Sequence, residues 1–303
     1  MPLTAGDVPR VRGALVLQHD ERMLADVVPY LCCPVCGGDL ACEGQVLRCG
    51  SGHAFDIARQ GYAGLLTGGA RTGTADTAAM VTARAEFLDG GHFAPLAALI
   101  AERAAAGAPD GGCVMDAGAG TGYHLSAVLD RLPGRPGVAL DISKHALRRA
   151  ARARPRAGAL TWDVWRPLPI RTGTVAVVLD VFAPRNAEEF HRVLRPDGIL
   201  IVVTPAPHHL DELVGTLGLL TVDPRKAERV SDTLGGWFRP AGTWPLELPL
   251  RLTHAEVAAL VAMGPSAWHT DSEAVRARIA GLVAPVAVTA AFEVRVFDVR
   301  PES

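Results

Sequence analysis

The sequence predicts an α/β protein, a mostly parallel sheet covered by helices on both faces, with a small metal-binding module ahead of it. Three observations carry that prediction. Between residues 111 and 205 short apolar runs alternate with helical ones, as strands buried on both faces do. One such run, Cys113-Val114-Met115-Asp116, breaks into the alternate glycines Gly118, Gly120 and Gly122. Upstream, Cys33-x2-Cys36 and Cys49-x3-His53 set four soft donors in two knuckles.

The glycine loop organises the chain. A buried strand running into such a turn lets backbone approach a ligand closely, because glycine lacks a Cβ and tolerates positive φ. The helix that follows aims its free N–H groups at whatever sits there. A dinucleotide fingerprint, G-x-G-x-x-G, is the competing reading. Here the third glycine, Gly122, arrives one residue early and Tyr123 stands where that fingerprint needs glycine. With Asp116 ending its strand and Asp141 ending the next, Val138-Ala139-Leu140-Asp141, the segment resembles the first two motifs of class I S-adenosylmethionine-dependent methyltransferases. That resemblance implies a Rossmann-like, seven-stranded sheet. It also implies that Asp116, Gly118, Gly120 and Thr121 carry the amino acid and sugar of the cofactor, and that Asp141 accepts the two ribose hydroxyls.

Composition bounds the rest. A chain of 303 residues, 49% hydrophobic, suffices for one large α/β domain and a smaller module. A formal charge of −2 leaves any nucleic-acid contact to a local patch. Four of the six cysteines crowd into residues 32–42, which points to metal more than to disulfides. With no secretory signal and no run of eighteen apolar residues, the expected home is the reducing cytoplasm.

Residues 1–30 are a lead to which no function is assigned. Residues 31–62 form the metal module, with Cys33, Cys36, Cys49 and His53 at tetrahedral zinc spacing and Pro34, Gly37, Gly38, Gly50 and Gly52 supplying the turns. Protein fills all four positions, so one closed, structural zinc is expected. A segment with so few large apolar side chains cannot fold unaided, and roughly 10–16 kcal/mol of apparent zinc affinity supplies the difference. Cys32 and Cys42 are spares, since only Cys33 has the two-residue gap to Cys36.

After the knuckles come Phe55-Asp56-Ile57-Ala58-Arg59-Gln60-Gly61-Tyr62 and Ala83-Arg84-Ala85-Glu86-Phe87-Leu88-Asp89-Gly90-Gly91-His92-Phe93, and then the glycine loop. This ordered set resembles the RlmA family of 23S ribosomal RNA guanine-N1 methyltransferases, from residue 31 almost to the end. The nearest likeness is to the actinomycete branch tied to tylosin-type macrolide resistance. The resemblance implies S-adenosylmethionine as cofactor and a hairpin of domain II of 23S rRNA as partner. It implies a homodimer with a cleft between zinc modules that grip the RNA, and no role for DNA or membrane. In that family an aromatic at the position of Phe93, usually tyrosine, lies against the cofactor, and a histidine at that of His209 contacts it, whereas the position of His208 varies.

Between module and core, residues 63–110 read as a connector: a Gly/Thr/Arg hinge at 68–74 and alanine-rich helices over 75–88 and 94–106, broken by Asp89-Gly90-Gly91. The catalytic domain spans 111–303. Ser143 is an N-cap for a helix over 144–154, whose Arg148, Arg149, Arg152 and Arg156 read as a solvated face or a phosphate contact. Asp163, in Thr161-Trp162-Asp163-Val164-Trp165, stands where class I enzymes receive the adenine amine; Trp162 and Trp165 flank the ring or belong to the core.

A strand over 174–181 delivers Asp180-Val181-Phe182-Ala183-Pro184-Arg185-Asn186 to the ligand edge. There Phe182 is a candidate to stack on guanine, Arg185 to meet a phosphate or the base, and Asp180 to accept the N1 proton. Asn186 with Glu189 reads as a capping box for a helix over 187–194. Pro196-Asp197-Gly198 turns into a strand over 199–204. Further strands are expected over 246–252 and 286–299, and Thr253-His254-Ala255-Glu256 caps a helix; the resemblance to class I methyltransferases implies that the last strand is inserted antiparallel. Pro265-Ser266-Ala267-Trp268-His269 resembles a family turn. Two other readings share this core, a methyltransferase for a small metabolite and a non-catalytic RNA-binding factor.

Overall fold

The computed structural model describes residues 24–66, 75–153, 156–221, 223, 225–264 and 272–301. Most of the lead, the hinge at 68–74 and the turn at 265–269 lie outside the described residues. Among the described residues no helix is long and apolar enough to cross a membrane.

The metal module is a three-stranded antiparallel sheet: β1 (Leu40–Glu43), β2 (Val46–Cys49) and β3 (Ala54–Asp56). β4 (Tyr62–Gly64) leaves it and joins the main sheet. Helices α1 (Ala78–Asp89) and α2 (Ala94–Gly107) follow; Thr77 Oγ1 caps α1 by accepting from Met80 N at 3.3 Å. Then come β5 (Cys113–Ala117), α3 (Tyr123–Arg131), β6 (Gly137–Asp141), α4 (Lys144–Ala153), β7 (Ala157–Thr161) and β8 (Val175–Val181). The chain continues through α5 (Ala187–Val193), β9 (Leu194–Pro205), α6 (Asp211–Leu217), α7 (Lys226–Leu234) and β10 (Phe238–Leu252). It closes with α8 (His254–Ala262), α9 (Ser272–Ala280) and β11 (Val286–Val299).

The strand order is β10-β11-β9-β8-β5-β6-β7-β4. The seven strands from β10 to β7 are the expected core, with β11 antiparallel to both neighbours; β4, parallel to β7, extends it to eight. Every residue of β5, β7 and β8 is buried, which is why these segments read as continuous apolar runs instead of alternating ones. β10 is an edge strand, mostly exposed and bearing Pro240, Pro245 and Pro249, residues that such an edge tolerates because they need no ladder donor. It is far longer than the 246–252 expected, because β11 offers it a partner along its whole length.

Side chains alternate across the sheet. Val114, Ala139, Val177 and Leu179 pack with Leu96, Ile100, Val128 and Phe292 on one face. Met115, Val138, Leu140 and Val178 pack on the other with Phe190 and with Leu24, Val27, Leu31, Leu47 and Phe55. The metal module therefore shares the core of the main domain. Leu24, Val27, Leu31 and Leu47 are completely buried, each worth about 1.5–3 kcal/mol. Backbone seals the seam: Cys32 N donates to Pro169 O at 3.0 Å and Arg171 N to Tyr30 O at 2.8 Å.

Local capping follows sequence with one correction. Thr253 and Glu256 form the capping box of α8, and Ser143 Oγ accepts from Ala146 N at 3.4 Å. Asn186 precedes α5 without capping it: its Nδ2 donates to Val164 O at 3.0 Å. Glu189 turns to Leu168 N and to Arg192 Nε, the latter at 2.7 Å. The backbone groups of Val164 and Leu168, both buried, outcompeted the local box because each would otherwise be unpaired.

Candidate active site and metal centre

The main sheet reverses its winding between β5 and β8, and ligands of open α/β sheets bind outside the strand ends at such a reversal. The glycine loop after β5 lies there. Gly118, Gly120 and Gly122 have φ of 85°, 54° and 77°, conformations that other residues rarely adopt. Gly118 N and Ala119 N donate to Leu140 O at 2.8 and 2.9 Å, which ties the loop to the end of β6.

Asp141 organises the loop from that strand end. Its Oδ2 accepts from Gly120 N at 2.8 Å and its Oδ1 from Ser143 N at 2.7 Å, one bond to each oxygen. Burial raises its pKa against those two bonds. Asp116 is only 2% exposed, and burial, then the neighbouring Asp141, push it up to about 7. Its Oδ1 finds no hydrogen-bond partner among the described residues. Asp116 thus lies beneath the loop, while Asp141 faces the ligand edge.

Asp163 follows β7 and is joined to Asp141 through Trp162, whose N donates to Asp141 O at 3.0 Å. Asp163 Oδ1 accepts from Trp165 N at 3.1 Å. Trp162 is core and Trp165 is 65% exposed, so the two tryptophans do not sandwich a common ring.

Three candidates meet at a residue that sequence reasoning missed, Phe292 of β11. Its ring centroid lies 5.1 Å from that of Phe93, 4.8 Å from His209 and 5.6 Å from Phe182. His209 Nδ1 is held between the N–H and the carbonyl of Ala291, at 3.2 and 2.9 Å. Within an alternating apolar strand nothing local distinguishes Phe292 from its neighbours.

Phe182 leaves β8 with φ of 56° and stays 45% exposed, an uncommon conformation for a bulky side chain and one found at functional sites. Asp180 is fully buried and Arg185 Nη2 approaches its Oδ1 at 3.6 Å. In this conformation Asp180 holds the guanidinium and does not itself reach the edge. On α4, Arg148, Arg149 and Arg152 are exposed, whereas Arg156 Nη1 donates to Arg135 O at 3.0 Å and is structural. Asp76 and Arg84, which sequence reasoning also missed, pair beside the glycine loop.

The ligating atoms of Cys33, Cys36, Cys49 and His53 all lie within 4.8 Å of one another. Cys49 Sγ is 3.3 Å and Cys33 Sγ 3.6 Å from His53 Nδ1, and Cys36 and Cys49 sulfurs are 3.8 Å apart. A tetrahedron with zinc–sulfur bonds near 2.3 Å has edges of about 3.8 Å, so the donors fit zinc. Gly37 and Gly52, with φ of 70° and 88°, make the two turns. Hydrogen bonds from the backbone of Gly38, then from the side chain of Ser51, lower the Cys36 thiol to about 6, favouring the thiolate that metals bind. Cys32 and Cys42 stand outside the cluster.

Known proteins share this architecture. Residues 31–68 match the zinc-ribbon family described as "RlmA, N-terminal", and residues 114–198 match "Methyltransferase domain". A Micromonospora griseorubida protein assigned as a 23S rRNA (guanine-N(1)-)-methyltransferase is 54% identical over 92% of this chain and 100% of its own length. The 23S rRNA (guanine(748)-N(1))-methyltransferase of Streptomyces fradiae is 49% identical over 86% of this chain and 93% of its own. With the knuckles, the glycine loop and the antiparallel closing strand all in place, the chain belongs to the RlmA family of 23S rRNA (guanine-N1)-methyltransferases.

Proposed function

We propose that this protein transfers a methyl group from S-adenosylmethionine to guanine N1 in the tunnel-lining hairpin of domain II of 23S rRNA, and thereby protects against tylosin-type macrolides. The observation that carries the reading is one chain uniting a four-donor metal cluster with a glycine loop clasped by Asp141, in a sequence that matches its relatives over nearly their full length. Position 748, the target of the Streptomyces fradiae relative, is the first guanine to test.

The residues present fit the cofactor. The loop has no Cβ at Gly118 or Gly120, and Asp141 retains acceptor capacity for ribose hydroxyls. When bound, S-adenosylmethionine supplies a methyl on a sulfonium, transferred in line as the C–S bond breaks and the N1–C bond forms. Gly118, Gly120 and Thr121, with Asp116, would hold its amino-acid end, Asp163 would receive the adenine amine, and Phe93 and His209, which meet at Phe292, would pack against it. Proximity and alignment supply most of the acceleration.

Guanine N1 carries a proton near neutrality, so an acceptor assists its removal. Phe182 stacks on a base drawn out of the hairpin, and Arg185 turns from Asp180 toward the RNA, exposing a carboxylate that accepts from N1–H and the 2-amino group. Residues 31–62, with one zinc, act as the RNA grip ahead of the connector and of the catalytic domain at 111–303, in a homodimer in the cytoplasm.

Incubation with labelled cofactor and naked 23S rRNA, followed by mapping of the methylated nucleotide, tests the reading. A mark on N1 of a domain II guanine is expected. Methylation of a small molecule alone, or RNA binding without transfer, would favour the two other readings.

A further inference from the structure

Arg84 of α1 has no task in the scheme above, yet its guanidinium lies over the bare backbone of the glycine loop. Nη1 is 3.5 Å from the place a Cβ on Gly120 would occupy. Nη1 also pairs with the carboxylate of Asp76, and Nη2 donates to Met263 O at 2.9 Å, behind α8. Asp76 is anchored in turn, its carbonyl accepting from Ser143 Oγ at 2.8 Å, two residues from Asp141. The side chains of Arg84 and Asp76 are 26% and 22% exposed, so solvent and a ligand can both reach the pair.

Physical chemistry narrows what such a cation serves. The contacts proposed above leave the amino-acid tail of the cofactor, a carboxylate and an ammonium, over this same loop. A carboxylate brought to partly buried backbone needs a counter-charge, and the guanidinium fork suits it better than any single donor. Among the described residues the guanidinium bonds to Asp76 and to Met263 O, two of its five N–H donors. The field of Arg84 already reaches the loop: after burial, it is the second cause that lowers His124, next to Tyr123, to about 4.

We propose that Arg84 binds the terminal carboxylate of the cofactor and that Asp76 with Met263 O holds the guanidinium aimed at it. The assignment rests on the reading that the glycine loop holds S-adenosylmethionine. It makes α1, which precedes the whole Rossmann-like core in sequence, part of the cofactor site.

Calorimetry on the full-length protein tests it with two probes, S-adenosylhomocysteine and 5′-methylthioadenosine, which shares the nucleoside and thioether but has no amino-acid end. Arg84→Met should weaken S-adenosylhomocysteine by about 10- to 100-fold, the worth of a charge-assisted pair, and leave methylthioadenosine within about two-fold. Arg84→Lys, which keeps the charge and disturbs the fold least, should fall between Arg84→Met and the wild type on the first probe alone. Equal weakening of both probes, or no weakening of the first in either variant, would overturn the assignment by itself. Wild-type protein that took up neither probe would overturn the cofactor reading, and this assignment with it.

Discussion

Gly118 and Ala183 touch so closely that a Cβ on the glycine would stand 2.6 Å from the Cβ of Ala183, nearer than side-chain carbons approach. The glycine loop after β5 and the loop after β8 are thereby packed as one body. Gly118 also has φ of 85°. Gly118→Ala should cost about 1–3 kcal/mol through strain and overlap, and displace Phe182. Chemical denaturation and S-adenosylhomocysteine titration check both; an unchanged midpoint with intact binding would contradict the packing.

Phe292 joins Phe93, Phe182 and His209 in one aromatic contact and is 1% exposed. Phe292→Ala should destabilise the fold by about 3–5 kcal/mol. The milder Phe292→Leu should keep the fold and reduce turnover, because three site side chains lose a common support. Paired melting curves and single-turnover rates separate the two effects.

Cys33 and Cys49 belong to the same buried core as Met115 and Val178 of the main sheet. Metal analysis should find one zinc per chain in the wild type and in Cys32→Ser, and none in Cys49→Ser. Chelation should lower the melting temperature of the whole chain by roughly 15–25 °C in a single transition. A separate early transition would mean that the module melts alone.

Two buried groups give opposite pH dependences. Asp116, beside Asp141, is raised to about 7, so it binds a proton more readily folded than unfolded, and its contribution is lost as pH climbs from about 4 through 7. His124, its Nδ1 sealed from solvent and facing Arg84, is lowered to about 4, so its contribution is present above about 6.5 and lost as pH falls through 4. Asp116→Asn should therefore become more stable from pH 4 to 6.5 and His124→Phe less stable from pH 4 to 7, each by at most about 1.4 kcal/mol per pH unit. The wild type should be flatter than either, as urea midpoints across that range would show.

The metal donors and the glycine loop were legible because each is a local pattern, donors at chelating spacing or glycines after an apolar run, whereas Asp141 and the antiparallel closing strand were legible through the family resemblance. The lead up to residue 30 was not. Val27 fits against Gly158 of β7 so tightly that a Cβ on the glycine would lie 2.2 Å from its Cγ2, yet neither residue signals the other along the chain. The failed capping box at Asn186 has the same origin, since its carbonyl partner, Val164, comes from another loop.

By itself the sequence determined which residues can ligate a metal, which turns need glycine and which runs must be buried, because spacing, backbone freedom and apolar periodicity act over a few residues. Only the tertiary structure decided that the metal module shares the core of the main domain, that Phe292 gathers Phe93, Phe182 and His209, and that Arg84 reaches over Gly120. Those contacts join segments distant in sequence, and the order in which strands pair, not any local preference, sets which side chains meet.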